Sequence, residues 1–305
     1  MQAQNPTKVL FVINKKAGLQ LETSLDKTIE EHAKKNAYPF ERYLVEGNSV
    51  ESDIEKIIEN FNPTIIAAVG GDGTINLVAS LIYNTNINLI VIPLGSANGM
   101  AKELQIPLEL PACFDLIVKG KIQKIDLLKV NDKISVHLAD VGLNARVVKR
   151  FELDPKRGLS VYAKHLFFEV FFLKNNRFKI SYDNKFLNIK AVSLTFANAT
   201  KYGTSAVINP DGILNDGFFE ICIVKPFPKY KIFKIAYQMF RNTLKYSEYY
   251  KVISCKEAQV MCTKRTLLQN DGELMNKVNT INLKSLPNAL NVIISPNLLH
   301  PTIIN

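Results

Sequence analysis

The chain has 305 residues, 47% of them hydrophobic and 22% charged, with a formal net charge of +10 at pH 7. That composition excludes a disordered chain and suffices for two domains, each with its own core. No apolar run approaches the ~18 residues of a membrane-spanning helix, so a helical membrane protein is excluded as well. The positive charge suits an anionic partner, which could be nucleotide phosphate, an acidic membrane surface or nucleic acid, or else a generally basic surface. Met1 to Thr7 is polar and carries no secretory pattern. Cys113, Cys222, Cys255 and Cys262 lie far apart, as expected of buried free thiols in a reducing cytosol.

In chain order, Lys8–Ile13 predicts a buried strand that ends at Asn14-Lys15-Lys16-Ala17-Gly18. Leu21, Leu25, Ile29 and Ala33 then recur at helical spacing. Phe40–Val45 reads as a second strand and Val50–Phe61 as a helix with Ile54, Ile57, Ile58 and Phe61 on one face. Ile65–Val69 is a third buried strand, Ile75–Tyr83 a third helix and Asn88–Ile92 a fourth strand. Strands alternating with helices imply a parallel sheet with right-handed crossovers, whose ligands bind at the carboxyl ends of the strands. Three loops fall on that edge: Asn14–Gly18, Gly70–Thr74 and Pro93–Asn98.

The loop Gly70-Gly71-Asp72-Gly73-Thr74 carries the most chemistry. Glycines let a backbone approach a ligand closely, and the helix behind them offers unpaired N–H groups, a geometry that binds phosphate. A carboxylate inside such a turn makes sense where a divalent cation or a hydroxyl is also handled. A tight turn with Asp72 as helix N-cap would need fewer glycines. In the fourth loop Gly95 permits the turn, and Ser96 and Asn98 offer side-chain donors at a helix start. Neither a dinucleotide fingerprint nor a P-loop lysine is present.

After Asp126 the period changes. Strand-like segments near 123–130, 133–140, 177–183, 186–197, 218–224, 250–254, 258–263 and 289–294 alternate with turn signals, and helices are expected near 159–174 and 229–246. The fold class is therefore α/β plus β. An α/β domain with a parallel sheet spans 1–125, and an antiparallel β-sandwich spans 126–305, its last residues being candidates to return to the first domain.

Gly-Gly-Asp-Gly-Thr is shared by diacylglycerol, sphingosine, ceramide and NAD kinases and, more distantly, phosphofructokinases. Downstream stand Ala139-Asp140-Val141-Gly142-Leu143-Asn144-Ala145, Asn215-Asp216-Gly217-Phe218 and Asn270-Asp271-Gly272-Glu273. In that order they resemble the landmarks of the diacylglycerol/sphingosine kinase family over nearly the whole chain. The resemblance implies ATP, Mg²⁺ and phosphoryl transfer to a lipid hydroxyl, on an NAD kinase- or phosphofructokinase-like first domain. By position, Asn14 and Gly18 match the family's first nucleotide loop. Gly70, Gly71, Asp72, Gly73 and Thr74 match its triphosphate turn, and Gly95, Ser96 and Asn98 its second phosphate loop. Asp271 matches the proposed catalytic base, with Glu273 beside it and Asp72 the next carboxylate. Asp216 matches a Mg²⁺ position that the carbonyls of Ile213 and Phe218 would complete. Two positions depart from the pattern: Gly99 stands where many bacterial members have aspartate, and Leu77 where glutamate is usual.

The expected protein is thus a cytoplasmic, ATP- and Mg²⁺-dependent lipid kinase at the inner face of the membrane, with a homodimer compatible with the sequence. An NAD kinase-like enzyme and a catalytically weak nucleotide- or lipid-binding homologue are the alternatives. The apolar segment Tyr162–Leu173 suits either core packing or an acyl-chain cleft. Lys225–Lys251, with seven Lys/Arg against Glu248, suits either an anionic membrane or a solvated face. No reader motif supports nucleic acid.

Overall fold

The computed structural model describes residues 6–14, 22–47, 49–154, 159–203, 206–296 and 302–303. The chain packs into two units, Met1–Ile125 with Ala289–His300, and Asp126–Asn288 with Pro301–Asn305.

In the first unit, β1 (Val9–Ile13) lies between β2 (Phe40–Leu44) and β3 (Ile65–Gly70), and β3 pairs with β4 (Asn88–Pro93), every pair parallel. β1 and β3 are buried along their whole length. Central strands of a parallel sheet need this, because helices cover both faces. β2 lies at the edge, and its residues are exposed or half-buried. The connections are α1 (Glu22–Asn36), α2 (Val50–Phe61) and α3 (Asp72–Ile82). Asn62 ends α2 in a left-handed conformation, φ 51°, and returns its N–H to the Ile58 carbonyl. After β4 come α4 (Gly99–Glu103) and α5 (Leu110–Lys119). Phe114 of α5 stacks on Phe11 of β1, ring centroids 5.9 Å apart, fastening that helix to the sheet.

The second unit starts within β5 (Lys121–Val130), which pairs with β6 (Lys133–Ser135). β7 (Leu138–Gly142), α6 (Leu143–Leu153), α7 (Leu159–Phe171), β8 (Asn176–Tyr182), β9 (Lys185–Ala191) and β10 (Ser193–Ala197) follow. The chain continues through β11 (Phe219–Val224), α8 (Ile232–Phe240), β12 (Tyr250–Cys255), β13 (Glu257–Asn270) and β14 (Glu273–Ile294). The antiparallel order is β12-β11-β10-β7-β13-β14, with β8 pairing β13 and β9. Inward side chains such as Phe178, Phe196, Phe219, Ile221, Val260 and Ile281 form the core of the sandwich. β14 runs past Pro287 and Asn288 into the first unit, where Asn291 and Val292 pair in parallel with Asn88 and Leu89 of β4.

Several elements differ from the sequence expectation. The third helix begins at Asp72, not Ile75, because Gly71 takes the extended N-cap conformation directly after the strand. The expected strand 133–140 is broken at Val136 and His137, whose amides turn onto the Asp271 carboxylate. The segment 186–197 divides into two strands at Val192. The helix expected at 229–246 is α only over Ile232–Phe240, with short 3-10 turns at Lys229–Lys231 and Leu244–Tyr246. α5 and α6 were not expected. α6 follows its strand without a loop, because Gly142 takes φ 104°, and a Cβ there would lie 2.4 Å from the Val192 carbonyl oxygen.

Asp140 and Glu220 are among the carboxylates buried in the second unit. Asp140 on β7 is fully buried and accepts hydrogen bonds from Gln269 Nε2 at 2.7 Å and from Asn144, which itself accepts the Tyr162 hydroxyl. Glu220 accepts from Asn209 Nδ2 at 2.8 Å and Ser254 Oγ at 2.9 Å. Burial pushes each pKa up to about 7. Their folded values therefore exceed their unfolded ones, and the folded state holds extra protons between the two. Stability from this source is full on the acid side and is lost as pH rises toward 7 and beyond. The melting temperature is accordingly expected to fall between pH 5 and pH 8, and Asp140→Asn to flatten that fall. An unchanged slope in the variant would exclude Asp140 as a source of it.

Candidate active site

Within the first unit, β3 ends in Gly70 and β4 in Pro93, and Leu94 donates its N–H to the Gly70 carbonyl at 2.9 Å. The two loops therefore run side by side. A Cβ on Gly95 would sit 2.5 Å from Gly71 Cα and 2.8 Å from Asn98 Oδ1, and one on Gly70 would sit 2.4 Å from Thr74 Oγ1. Glycine is required at both positions by this approach of backbone to backbone and side chain. Thr74 is buried, and its hydroxyl accepts Asn14 Nδ2 at 3.3 Å, which ties the end of β1 to the turn. Gly18, expected in the same loop as Asn14, lies outside the described residues.

The Asp72 carboxylate reaches out of its own helix, whose N-cap is Gly71. Oδ2 accepts the Gly99 N–H and Oδ1 the Met100 N–H, both at 2.9 Å. Asp72 thus pins the start of α4 and with it the second glycine loop. Asn98, the N-cap of α4, is held at φ 50°, and its Oδ1 is buried without a hydrogen-bond partner. Ser96 and Gly73 are exposed at the mouth of the loops, and Gly71 and Asp72 are half-buried. The first-turn amides of α3 and two close glycine loops fit a phosphate-bearing ligand. Gly99 donates the N–H that Asp72 holds, and Leu77 is half-buried on α3.

Within the second unit, Asp271 and Gly272 form the two-residue turn between β13 and β14, with φ 47° and 89°. Positive φ at both positions is the type I′ hairpin geometry that Asp-Gly favours. The Asp271 carboxylate is buried on the β6–β7 connection. Oδ1 accepts Ser135 Oγ at 2.8 Å, His137 N at 3.0 Å and Leu138 N at 2.9 Å, and Oδ2 accepts Val136 N at 2.8 Å. Burial pushes its pKa up, against the pull of His137 and of these donors. Glu273, the next residue of the hairpin, is exposed.

Asp216 Oδ1 accepts the Phe218 N–H at 3.0 Å, closing the turn after Ile213 and Leu214. The same turn hangs on Asp126, whose carboxylate accepts Gly217 N and Asn288 N, each at 2.6 Å. Burial raises the Asp126 pKa, and the nearby Asp216 charge adds to the rise. Carboxylate and carbonyl oxygens are the donor type of Mg²⁺ or Ca²⁺, and two carboxylates in mutual repulsion fit a cation. Among the described residues, however, no group of three or more His, Cys, Asp or Glu gathers at one point.

Sequence reasoning missed Asp126, Ser135 and His137 as partners of these sites. Asp126 stands out only as the place where the strand period changes. The contribution of 135–138 is mostly backbone N–H and leaves no mark in residue type.

The chain matches two family models, the diacylglycerol kinase catalytic domain over residues 8–130 and the YegS C-terminal NAD kinase beta sandwich-like domain over 138–294. A "Probable lipid kinase YegS-like" of Pectobacterium atrosepticum is 28% identical over 228 residues, 72% of this chain and 75% of that protein. Another, from Yersinia enterocolitica, is 32% identical over 165 residues, 52% of this chain and 55% of that protein. Among solved structures, a diacylglycerol kinase from Bacillus anthracis superposes with a TM-score of 0.73 at 16% identity, over 97% of this chain and 100% of that one. A second structure from the same organism reaches 0.78 at 19% identity, over 97% and 100%. At such identities the superpositions establish the fold.

Proposed function

Because the chain belongs to the family of YegS-like, diacylglycerol kinase-like lipid kinases, we propose that it transfers the γ-phosphate of ATP to the hydroxyl of a membrane lipid, diacylglycerol or a sphingoid-type lipid. The observation that carries this reading is the pair of glycine loops held together by Asp72. ATP with Mg²⁺ would bring the phosphoryl group and offset its charge. The α3 amides and Gly71, Gly73, Gly95, Ser96 and Asn98 bind phosphate, with Asn14, Gly70 and Thr74 shaping the turn. Asp72 is a positioning residue, acting through the amides it holds. Asp271 is the base that takes the proton of the acceptor hydroxyl. Its raised pKa supports that role, and the four donors fix its orientation. Glu273 is the second carboxylate of that turn. Asp216, with the Ile213 and Phe218 carbonyls, would hold Mg²⁺ in a structural role.

Gly95→Val tests the loops. The added side chain meets backbone at Gly71, so ATP affinity measured by isothermal titration is expected to fall by about two orders of magnitude, the ~3 kcal/mol that overpacking can cost. Parent-like affinity in a folded variant would exclude these loops as the nucleotide site.

We further propose peripheral attachment to an anionic membrane through α7 and α8. Among the described residues no helix is long and apolar enough to cross a membrane. Phe167, Phe168, Phe171 and Phe172, in and just after α7, are each about half exposed, as are Phe233 and Phe240 of α8. The two helices adjoin: the Phe167 and Phe233 rings lie 6.3 Å apart, and Lys229 Nζ donates to the Phe171 carbonyl at 2.8 Å. Glu169, the one acid of α7, is buried on Arg146 and Arg150, so the exposed charge of that helix is positive. At about 1 kcal/mol per basic residue near an anionic surface, Lys229→Gln/Lys231→Gln/Lys234→Gln is expected to lower binding to anionic vesicles about 100-fold at low salt. Sedimentation equal to the parent's would leave this face merely solvated.

A further inference from the structure

A cavity of about 520 Å³ opens in the second unit, and none of the turn residues described above lines it. Its charge is nearly all of one sign. Arg146, Lys149 and Arg150 come from α6, Lys174 from the segment after α7, Lys264 and Arg265 from β13, and Lys277 from β14. Glu169 is the one carboxylate among the lining residues, and it is taken up by Arg146 Nε at 2.8 Å and by Arg150 Nε. Arg146 still has a buried Nη2 with no hydrogen-bond partner. A buried guanidinium N–H left unpaired is costly.

The backbone is shaped to bring this charge together. The β13–β14 register is regular up to Met261↔Thr280 and resumes at Thr266↔Val278, so an irregularity in β13 contains Lys264 and Arg265. Arg265 Nη2 donates to the Lys277 carbonyl at 3.0 Å, which holds that irregularity against the neighbouring strand. Lys149 and Arg150 close to the C-terminus of α6 are also favoured by the helix dipole, but that does not account for the cations brought in from β13, β14 and the segment after α7. Arg150 lies over the Phe168 ring, its guanidinium carbon 4.4 Å from the centroid, so the cavity adjoins the exposed aromatic face.

We propose that this cavity is a binding site for a phosphate-bearing anion of two or more charges, either a free phosphate compound or the headgroup of an anionic phospholipid. Planar guanidinium groups and lysines converging from separate elements suit several phosphate oxygens at once. The site uses no residue of the glycine loops or of the Asp271 turn, so it does not depend on the kinase reading.

The test compares three full-length proteins: the parent, Lys149→Gln/Lys264→Gln/Lys277→Gln, and the control Lys129→Gln/Lys185→Gln/Lys284→Gln. The control removes equal charge from lysines around a different surface depression. All six lysines are exposed, so the variants are expected to fold. One arm is isothermal titration with pyrophosphate at fixed ionic strength, and the other is co-sedimentation with phosphatidylcholine vesicles with and without phosphatidic acid. Because the glycine loops are the same in all three proteins, any binding there cancels in the comparison. The cavity variant is expected to lose one bound pyrophosphate, or to bind phosphatidic acid vesicles about tenfold more weakly, while the control matches the parent. Loss in the first arm alone identifies a free phosphate compound, and loss in the second alone a lipid headgroup. Absence of binding by the parent in both arms, or equal losses in the two triple variants, would overturn the proposal.

Discussion

Asp271→Asn is expected to lower kcat by ~10²–10⁴-fold, the usual worth of a positioned general base, and to leave ATP affinity close to the parent's. The substitution keeps the size of the side chain and the turn preference of the Asp-Gly pair. It also keeps most of the anchoring, since the amide oxygen can stay at the Oδ1 position, where Ser135 Oγ, His137 N and Leu138 N donate. The amide nitrogen then faces Val136 N, a lost hydrogen bond that costs about 1–3 kcal/mol of stability. A drop in melting temperature is therefore expected whatever the catalytic role, and the pH profile separates the two. A base works only when deprotonated, and burial has raised the Asp271 pKa. The parent's kcat/KM is thus expected to fall with pH below a midpoint that lies above the ordinary carboxylate range. The residual activity of the variant should lack that fall. Turnover within a few-fold of the parent, with only stability reduced, would confine Asp271 to holding the 135–138 connection.

The second large effect is expected for Asp72→Ala. Removing the carboxylate releases Gly99 N–H and Met100 N–H together, and with them the start of α4 and the loop that packs on Gly71. Two charge-assisted hydrogen bonds are lost, each worth about 1.5–3 kcal/mol. Part of that cost falls on folding and part on the nucleotide-bound state. ATP affinity is expected to drop at least ~10-fold and transfer to become undetectable, with the far-ultraviolet circular dichroism spectrum preserved. Calorimetry with ATP, alongside the melting curve, checks both. A stable variant that binds ATP as the parent does would show that the second loop keeps its shape without Asp72.

The parallel sheet is legible in the sequence because β1 and β3 are short apolar runs between polar connections, and that pattern has few other readings. The glycine turn is legible for a similar reason, since adjacent glycines after a strand point to close backbone approach. What Asp72 does there is not legible. Its partners are backbone amides 27 and 28 positions away, and any residue type supplies an amide. The same holds for Asp271, whose donors lie 133 to 136 positions earlier and are mostly main chain. Asn270-Asp271-Gly272-Glu273 reads from sequence as a turn, and the structure adds where its carboxylate is anchored. α6 escapes the pattern reading because it starts directly at Gly142, without the loop and cap residues that mark a helix start. β14 escapes it because Pro287 and Asn288 interrupt a strand that is nevertheless continuous into the first unit.

The central claim is phosphoryl transfer from ATP to a lipid hydroxyl, and transfer of label tests it most directly. The protein is incubated with γ-labelled ATP and Mg²⁺ in detergent micelles containing diacylglycerol, sphingosine, ceramide or undecaprenol, with NAD offered in a separate aqueous reaction. The account predicts label in the organic extract for at least one lipid with the parent protein, and none with Asp72→Ala. Label appearing only in NADP, or no labelled product with any acceptor although ATP binds, would contradict it.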